Sequence, residues 1–434
     1  MHILFLSHYF PPEVNAPASR TYEHCVRWAQ AGHDVTVLTC QPNCPDGIIY
    51  PGYKNSFRRQ VEFVDGVRIV RVWTYLAANT GTVRRISNYL SYMLSAILAS
   101  IRLPRPDVVV ATSPQFFCGW AGVWVARLKR VPLVLEIRDI WPESIRITGA
   151  IKNGLVLRLL EYMEQWMYQG AHHIVAVGNG YRANITEKVD MSDRISVITN
   201  GVDVRKFVSH EPDPQLRRSW GMANKFVCAY IGTIGMAHGL QVVVKAAEIL
   251  RRKGRTDIGF LLVGDGSLRG RLADEVKQAG LDEMVVFAGR KPREQIPAIL
   301  GSSDACLIHL KSCQLFTTVI PSKIFEALAM GRPIIMGVKG ESRRIVMEAG
   351  AGLEMEPDSP DSLALAVETL ADNATLRSQL GRAARGFVAQ HYDRNVLANK
   401  YLDLLECIAD GGEAIKLTQP AAGQDMRSPD RKAA

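Results

Sequence analysis

Short apolar runs alternate with longer amphipathic segments along nearly the whole chain, and this alternation restricts the fold more than any other feature of the sequence. A strand buried on both faces reads as a continuous apolar run, and amphipathic segments between such runs supply the helices that cover a parallel sheet. In the first half the runs are Ile3–Ser7, Val35–Thr39, Val67–Val72, Val108–Thr112, Leu133–Glu136, Ile174–Val177 and Ser196–Ile198. The series stops at the polar, proline-containing stretch Ser209-His210-Glu211-Pro212-Asp213-Pro214 and then restarts. The second set is Val227–Ile231, Gly259–Val263, Val285–Ala288, Ala305–Ile308, Pro333–Met336 and Gly352–Met355. This restart predicts an α/β protein of two doubly wound domains in tandem. Ligands of such sheets sit beyond the carboxyl ends of the strands, so two facing domains would form one cleft.

The expected division is a first domain over 1–205, a second over 206–390, a last helix over 391–410 and a disordered tail over 411–434. Val396, Leu397, Tyr401, Leu404 and Leu405 recur at helical spacing within Arg394–Ile408. The tail is rich in Gly, Pro, Ala and charge and has no apolar period.

With 434 residues, 47% of them hydrophobic, the chain suits two cores of roughly 200 residues each. The eight cysteines include no C-x-x-C pair, and Cys40/Cys44 and Cys306/Cys313 lack the companion ligands of a zinc site. They read as small buried hydrophobes of a reducing compartment. Met1-His2-Ile3-Leu4-Phe5-Leu6 opens directly as a strand, without a positive n-region or cleavage site, so a cytoplasmic location is expected. The most membrane-like stretch, Tyr89–Ile101, spans 13 residues, fewer than the roughly 20 a bilayer requires.

The net charge of +9 is uneven. Lys54, Arg58, Arg59, Arg68, Arg71, Arg84, Arg85, Arg102 and Arg105 are opposed in that stretch only by Glu62 and Asp65. Such a surface attracts phosphates. Nucleic acid, anionic lipid and a nucleotide ligand all supply phosphates, but no aromatic-basic RNA motif or zinc-finger spacing accompanies the stretch, so lipid is expected and nucleic acid is not. Val83–Ile101 is amphipathic, flanked by arginines, and offers Tyr89 and Tyr92 as interfacial anchors for an inner leaflet. The same pattern also suits a helix buried in the first domain.

Three stretches can carry chemistry. The loop Ser7 to Ala18 follows the first strand and precedes a helix expected near Ser19. It includes Asn15, and Arg20 is placed to add a bidentate phosphate contact. An ordinary strand-to-helix loop fits equally well. Gly264-Asp265-Gly266 follows a strand as a tight turn that needs glycine. Pro321-Ser322-Lys323-Ile324-Phe325-Glu326 opens a helix that closes at Gly331 before Pro333. A diphosphate could sit at its N-terminus with Lys323 as counter-charge, while Glu326, on the same face, accepts from two ribose hydroxyls. A surface Glu–Lys pair has the same spacing.

Asn200-Gly201-Val202-Asp203, the Gly264-Asp265-Gly266 turn and the Lys323–Pro333 segment occur in an order that resembles glycosyltransferase family 4, over roughly residues 1–408. The resemblance implies the GT-B fold, retention of anomeric configuration and no bound metal or other cofactor. It also implies that the last helix returns to the first domain. It puts Glu326 on the donor ribose and the backbone of Ser322 and Lys323 on the diphosphate. It puts Asn200–Asp203 at the crossover between domains, which makes Asp203 structural.

The sequence departs from the family pattern at two places. Thr318 stands where a sugar-binding glutamate is common, which suggests a deoxy or amino donor sugar. Thr233 and His238, beside Gly239, stand where a phosphate-binding Arg and Lys are common, a loss that Lys323 offsets. With Arg138-Asp139-Ile140-Trp141-Pro142-Glu143 and Ile320-Pro321-Ser322-Lys323, these departures are similar to the WbuB-like branch of surface-polysaccharide transferases, which includes presumed N-acetyl-L-fucosamine transferases. That branch implies a UDP-sugar donor and a polyprenyl-diphosphate-linked saccharide acceptor.

Asp139 and Glu143 follow a strand at its carboxyl edge, where either could orient or deprotonate an acceptor hydroxyl. A helix cap at Asp139, and a pairing of Glu143 with Arg146, are the plainer alternatives. Ser322 and Lys323 would stabilise the leaving diphosphate, with Arg20 and His238 in support. The architecture also serves a UDP-sugar 2-epimerase or a non-catalytic sugar-nucleotide-binding subunit.

Overall fold

The computed structural model describes residues 1–13, 15–78, 82–143 and 153–412. The described residues divide into two compact units, one of Met1–Ile198 together with 398–412, the other of Thr199–Leu397.

The first unit is built on eight strands in the order β3-β4-β2-β1-β5-β6-β7-β8. They are β1 (His2–Leu6), β2 (Asp34–Cys40), β3 (Gln60–Val64), β4 (Val67–Val72), β5 (Val108–Thr112), β6 (Leu133–Ile137), β7 (His173–Ala176) and β8 (Ile195–Val197). All pair in parallel except β3, which is antiparallel to β4. β3 escapes the apolar-run reading because Gln60 and Glu62 interrupt it and Phe63 is 73% exposed at the sheet edge. Its signal is the Asp65-Gly66 pair, both residues with positive φ (49° and 83°), as a two-residue hairpin turn requires.

The helix Thr82–Ile101 lies beside helix Phe116–Lys129, and it corrects the expectation about its tyrosines. Tyr92 is fully buried and donates to the Leu38 carbonyl at 2.8 Å, and Tyr89 packs edge-on against His8. Both therefore point into the unit and cannot anchor at an interface. The outward apolar row is instead Leu94, Leu98 and Ile101, each more than half exposed. Among the described residues, no helix is long and apolar enough to cross a membrane.

The helix Arg394–Ala409 closes the first unit from the far end of the sequence. Trp28 donates its indole N–H to the Ala398 carbonyl at 3.0 Å, and Tyr401 packs edge-on against Trp28 and His24.

The second unit holds six parallel strands in the order β11-β10-β9-β12-β13-β14. They are β9 (Phe226–Ile231), β10 (Ile258–Val263), β11 (Val285–Gly289), β12 (Ala305–His309), β13 (Ile334–Gly337) and β14 (Gly352–Glu354). The strand order reverses between β9 and β12, which opens a crevice at their carboxyl ends. The corresponding reversal in the first unit lies between β1 and β5. Asn200–Asp203 is structural within the second unit: Val202 accepts from Arg394 N–H and donates to the Tyr392 carbonyl, and Asp203 is buried against Arg205.

Candidate functional site

At the reversal in the second unit, β9 runs into Gly232–Gly239, a loop shaped by close backbone contacts. A Cβ on Gly264 (φ +141°) would come within 1.9 Å of the Gly232 carbonyl oxygen, and one on Gly266 (φ +156°) within 2.5 Å of Ile234. Only glycine lets the turn after β10 approach that closely. Ile234 N–H donates to the Asp265 carbonyl and Leu268 N–H to Ile234, so the two loops brace each other. Tyr230 donates its hydroxyl to the Thr233 carbonyl at 2.7 Å. A single 3-10 turn, Met236–His238, then ends at Gly239 in the left-handed region.

The helix Lys323–Ala329 begins at the same crevice. Its first turn closes with Ile324 N–H donating to Pro321 and Phe325 N–H to Ser322, which leaves the N–H groups of Ser322 and Lys323 ahead of the ladder. Pro321 thus precedes the cap, Ser322, instead of lying in the first turn. Lys323 does not form the surface pair with Glu326 that the spacing allows. Its ammonium lies 4.1 Å from the Tyr230 ring centroid, within the 6 Å or so of a cation–π contact. It also fills space that a Cβ on Gly232 would need.

Burial lowers the Lys323 pKa to about 8, with Glu326 opposing the shift. Burial raises that of Glu326, against the pull of Arg293, Arg394 and Lys323. His238 is held neutral, at about 4, by burial and by the Lys323 charge, and its buried Nδ1 has no partner among the described residues. Buried His309 accepts from Asp358 N–H at Nε2 and so donates through Nδ1 to the His238 carbonyl, at 2.7 Å. The result is an under-solvated cation, backbone donors without a partner among the described residues and a neutral imidazole in one crevice, an arrangement suited to an anion. Tyr230 and His309 belong to this site and escape the sequence reading, although a histidine ending an apolar strand is a legible signal.

In the first unit the helix after β1 starts at Ala16, three residues earlier than expected, because Asn15 caps it by accepting from Ala18 N–H and Pro17 fits its first turn. Arg20 is consequently inside the helix and committed elsewhere. Its Nε lies 2.8 Å from Glu136, which is fully buried, and its Nη2 donates to the Ile198 carbonyl. It does not stand at an open helix end as a phosphate contact.

Glu136 also accepts from Thr112 at 2.7 Å. Burial pushes its pKa up, but Arg20, Arg138 and that hydrogen bond outweigh burial, and the net shift is downward. Arg138 is lowered to about 10, mainly by burial. Arg138 and Asp139 donate their backbone N–H groups to Ser113 Oγ, at 2.8 and 3.4 Å. Glu143 pairs with Lys188 at 2.7 Å, and the same ammonium holds Glu164. Arg146, the expected partner, lies outside the described residues, as do Val14 and 413–434. His8 is a further residue that pattern reading misses. It is buried among Tyr9, Tyr89 and Tyr92, and burial keeps it neutral, with a pKa near 3.

Comparison with known proteins finds matches to both halves of the chain. Residues 15–201 match the family described as "Glycosyl transferase 4-like domain", and residues 213–387 match "Glycosyl transferases group 1". The chain is 26% identical over 336 residues to the "Probable glycosyltransferase WbjE" of Pseudomonas aeruginosa, covering 73% of this chain and 80% of that protein. It is 24% identical over 417 residues to the "Putative colanic acid biosynthesis glycosyl transferase WcaI" of Escherichia coli, covering 93% and 99%. Among solved structures, Anabaena HepE in complex with UDP superposes with a TM-score of 0.67 at 15% identity, covering 94% of this chain and 100% of that one. Sucrose-phosphate synthase from Thermosynechococcus elongatus superposes with a TM-score of 0.70 at 15% identity, covering 95% and 100%. Both likenesses place the fold in the GT-B class.

Proposed function

The chain belongs to the two-domain glycosyltransferases, carrying a 4-like domain followed by a group 1 domain, and from that premise we propose the following reading of its chemistry. The donor is a UDP-sugar, and its diphosphate lies at the β9–β12 crevice against Ser322, Lys323 and the Thr233–Gly239 loop. Glu326 accepts from the ribose hydroxyls. The observation that carries this reading is the position of the Lys323 ammonium, drawn away from Glu326 to the Tyr230 ring at the mouth of the crevice. There its charge is poorly solvated, and a diphosphate would relieve it.

The transfer is a metal-independent, front-face substitution with retention. The bond from the anomeric carbon to the diphosphate oxygen breaks with its electron pair going to the diphosphate. The acceptor oxygen bonds to the same face, and its proton passes to the departing phosphate. In the first unit Asp139, backed by Arg138 and Glu143, orients the acceptor hydroxyl. The sugar is an N-acetylamino or deoxy sugar such as N-acetyl-L-fucosamine, in keeping with Thr318.

The acceptor is a polyprenyl-diphosphate-linked saccharide of a surface polysaccharide, a reading supported by the colanic acid assignment in the WcaI name. The protein works in the cytoplasm on the inner leaflet. Its contact with the leaflet is the exposed row Leu94, Leu98 and Ile101 with Trp124 and Leu128 of the neighbouring helix, bordered by Arg102, Arg105 and Lys129.

A thermal-shift screen against UDP, GDP, ADP and their sugar conjugates tests the donor site. A ligand at 100 times its Kd adds about 2.7 kcal/mol to the folded state. The expected outcome is a raised melting temperature with UDP or its conjugates that is lost in Glu326→Ala. No shift with any nucleotide would overturn the reading.

A further inference from the structure

The helix Ala374–His391 contains Arg377, Arg382 and Arg385 and no acidic residue. It packs closely on the turn that precedes β13, because two glycines meet there. A Cβ on Gly381 would come within 2.4 Å of the Gly331 carbonyl oxygen, and one on Gly331 would come within 2.9 Å of Arg385 Cδ. The contact brings Arg332 to the same place and leaves an open groove lined by Arg332, Arg377, Arg382 and Arg385 together with Ser209 and Ser378.

The groove is short of negative charge. Asp304, which also lines it, is already engaged by Arg217 at 2.6 Å and by Val227 N–H at 2.8 Å. Glu211 is the other acid felt by Arg332, and burial still lowers the Arg332 pKa on balance. The buried Nε of Arg332 has no partner among the described residues. Arg377 has structural work, donating to the Leu370 and Ala371 carbonyls at the end of the preceding helix. Arg382 and Arg385 are exposed, and Arg382 donates to Ser378 Oγ at 2.7 Å. None of the four arginines has an ion pair among the described residues. Guanidinium groups that line one groove without ion pairs of their own offer bidentate donors, and a phosphate accepts from several of them at once.

The groove sits at the amino ends of β12 and β13, where Asp304 and Arg332 precede the strands. The helix Lys323–Ala329 runs between these two strands, starting at the crevice and ending beside Gly331 at the groove. The two anion-seeking places are therefore at opposite ends of one short helix. We propose that this arginine groove is a second, separate phosphate-binding site of the second unit, taking the phosphate or diphosphate group of a soluble metabolite or of a lipid headgroup. It depends on this unit's geometry alone and not on the donor reading above.

Titration calorimetry of the full chain with pyrophosphate tests the site, performed on Lys323→Ala so that the opposite end of the helix contributes no cation. Saturable binding is expected. The added pair Arg382→Ala and Arg385→Ala, both exposed positions, should weaken it about tenfold or more with an unchanged melting temperature. Sedimentation with phosphatidylcholine vesicles, with and without phosphatidylglycerol, distinguishes the sources. Weaker pyrophosphate binding with unchanged sedimentation assigns a soluble phosphate. Loss of sedimentation on the anionic vesicles in the same variant assigns a headgroup. Absence of saturable binding to either probe, or binding that the paired substitution leaves unchanged, overturns the proposal.

Discussion

Lys323 and Glu326 lie one turn apart on the same helix, yet the ammonium sits 4.1 Å from the Tyr230 ring centroid and makes no ion pair with the carboxylate. A surface pair would hold both charges in solvent for a gain of under about 1 kcal/mol. Here the ammonium is half-buried and its burial opposes its charge. Lys323→Ala should therefore lower kcat/KM by about 10²–10³ and leave the melting temperature unchanged or raised. A loss of melting temperature with normal kcat/KM would make the residue a structural one.

The pH dependence of nucleotide binding follows from the same residue. Its pKa is lowered from 10.5 to about 8, so the free site is cationic below pH 8 and increasingly neutral above it. Affinity for UDP should fall as pH rises through about 8, and Lys323→Arg, cationic throughout, should flatten the profile. A wild-type Kd constant from pH 6.5 to 9.5 would separate Lys323 from the diphosphate.

The buried Arg20–Glu136 pair should show its cost only when broken. Arg20→Met removes the ion-pair partner of the buried Glu136 carboxylate and is expected to destabilise by about 3–5 kcal/mol, whereas Arg20→Met with Glu136→Leu should recover only part of that loss in chemical denaturation, because Arg138 and Thr112 then lose the carboxylate. The folded pKa of Glu136 is depressed below 4.5. Its contribution is therefore complete above the ordinary carboxylate range and declines as pH falls through the folded value. Acid unfolding of the double variant should lack that component.

Gly264→Ala addresses the backbone of the crevice. The added methyl meets the Gly232 carbonyl oxygen at 1.9 Å and sits on a residue with φ +141°. A loss of about 2 kcal/mol or more is expected, read as a lowered denaturant midpoint. Gly270→Ala, where nothing lies within 4 Å of the new Cβ, is the matched control and should be neutral or slightly stabilising within its helix.

Asp139→Asn tests the acceptor side. Turnover should fall by about 10² or more with donor affinity unchanged if the carboxylate handles the acceptor hydroxyl. Normal turnover would remove Asp139 from the chemistry.

Buried parallel strands were legible because both of their faces are apolar, and every such run became a strand within a residue or two of its expected ends. β3 was not, because an edge strand with one wet face carries Gln60 and Glu62 among its apolar residues, and the Asp65-Gly66 turn is a two-residue signal. The helix start at Ala16 was hidden because Asn15 and Pro17 serve a loop or a first turn equally well. Tyr89 and Tyr92 illustrate a different limit. Amphipathic spacing says that a helix has two faces without saying which one meets water, and that was decided by the Leu38 carbonyl and His8. Lys323 and Glu326 could be marked from spacing. Tyr230 and Arg293, distant in sequence, come to them only through the fold.

Trp28 has its hydrogen-bond acceptor at Ala398, 370 positions later. During synthesis at about 5–20 residues per second, the first sheet would leave the ribosome well before the helix that covers Trp28 and His24. For roughly 20–75 seconds those aromatic rings would be open, and the nascent chain would offer chaperones a hydrophobic hold that the finished protein does not. Completion of this unit thus waits on translation of Ala398 and the residues around it, and a chain cut short anywhere in the second unit would leave that surface permanently uncovered.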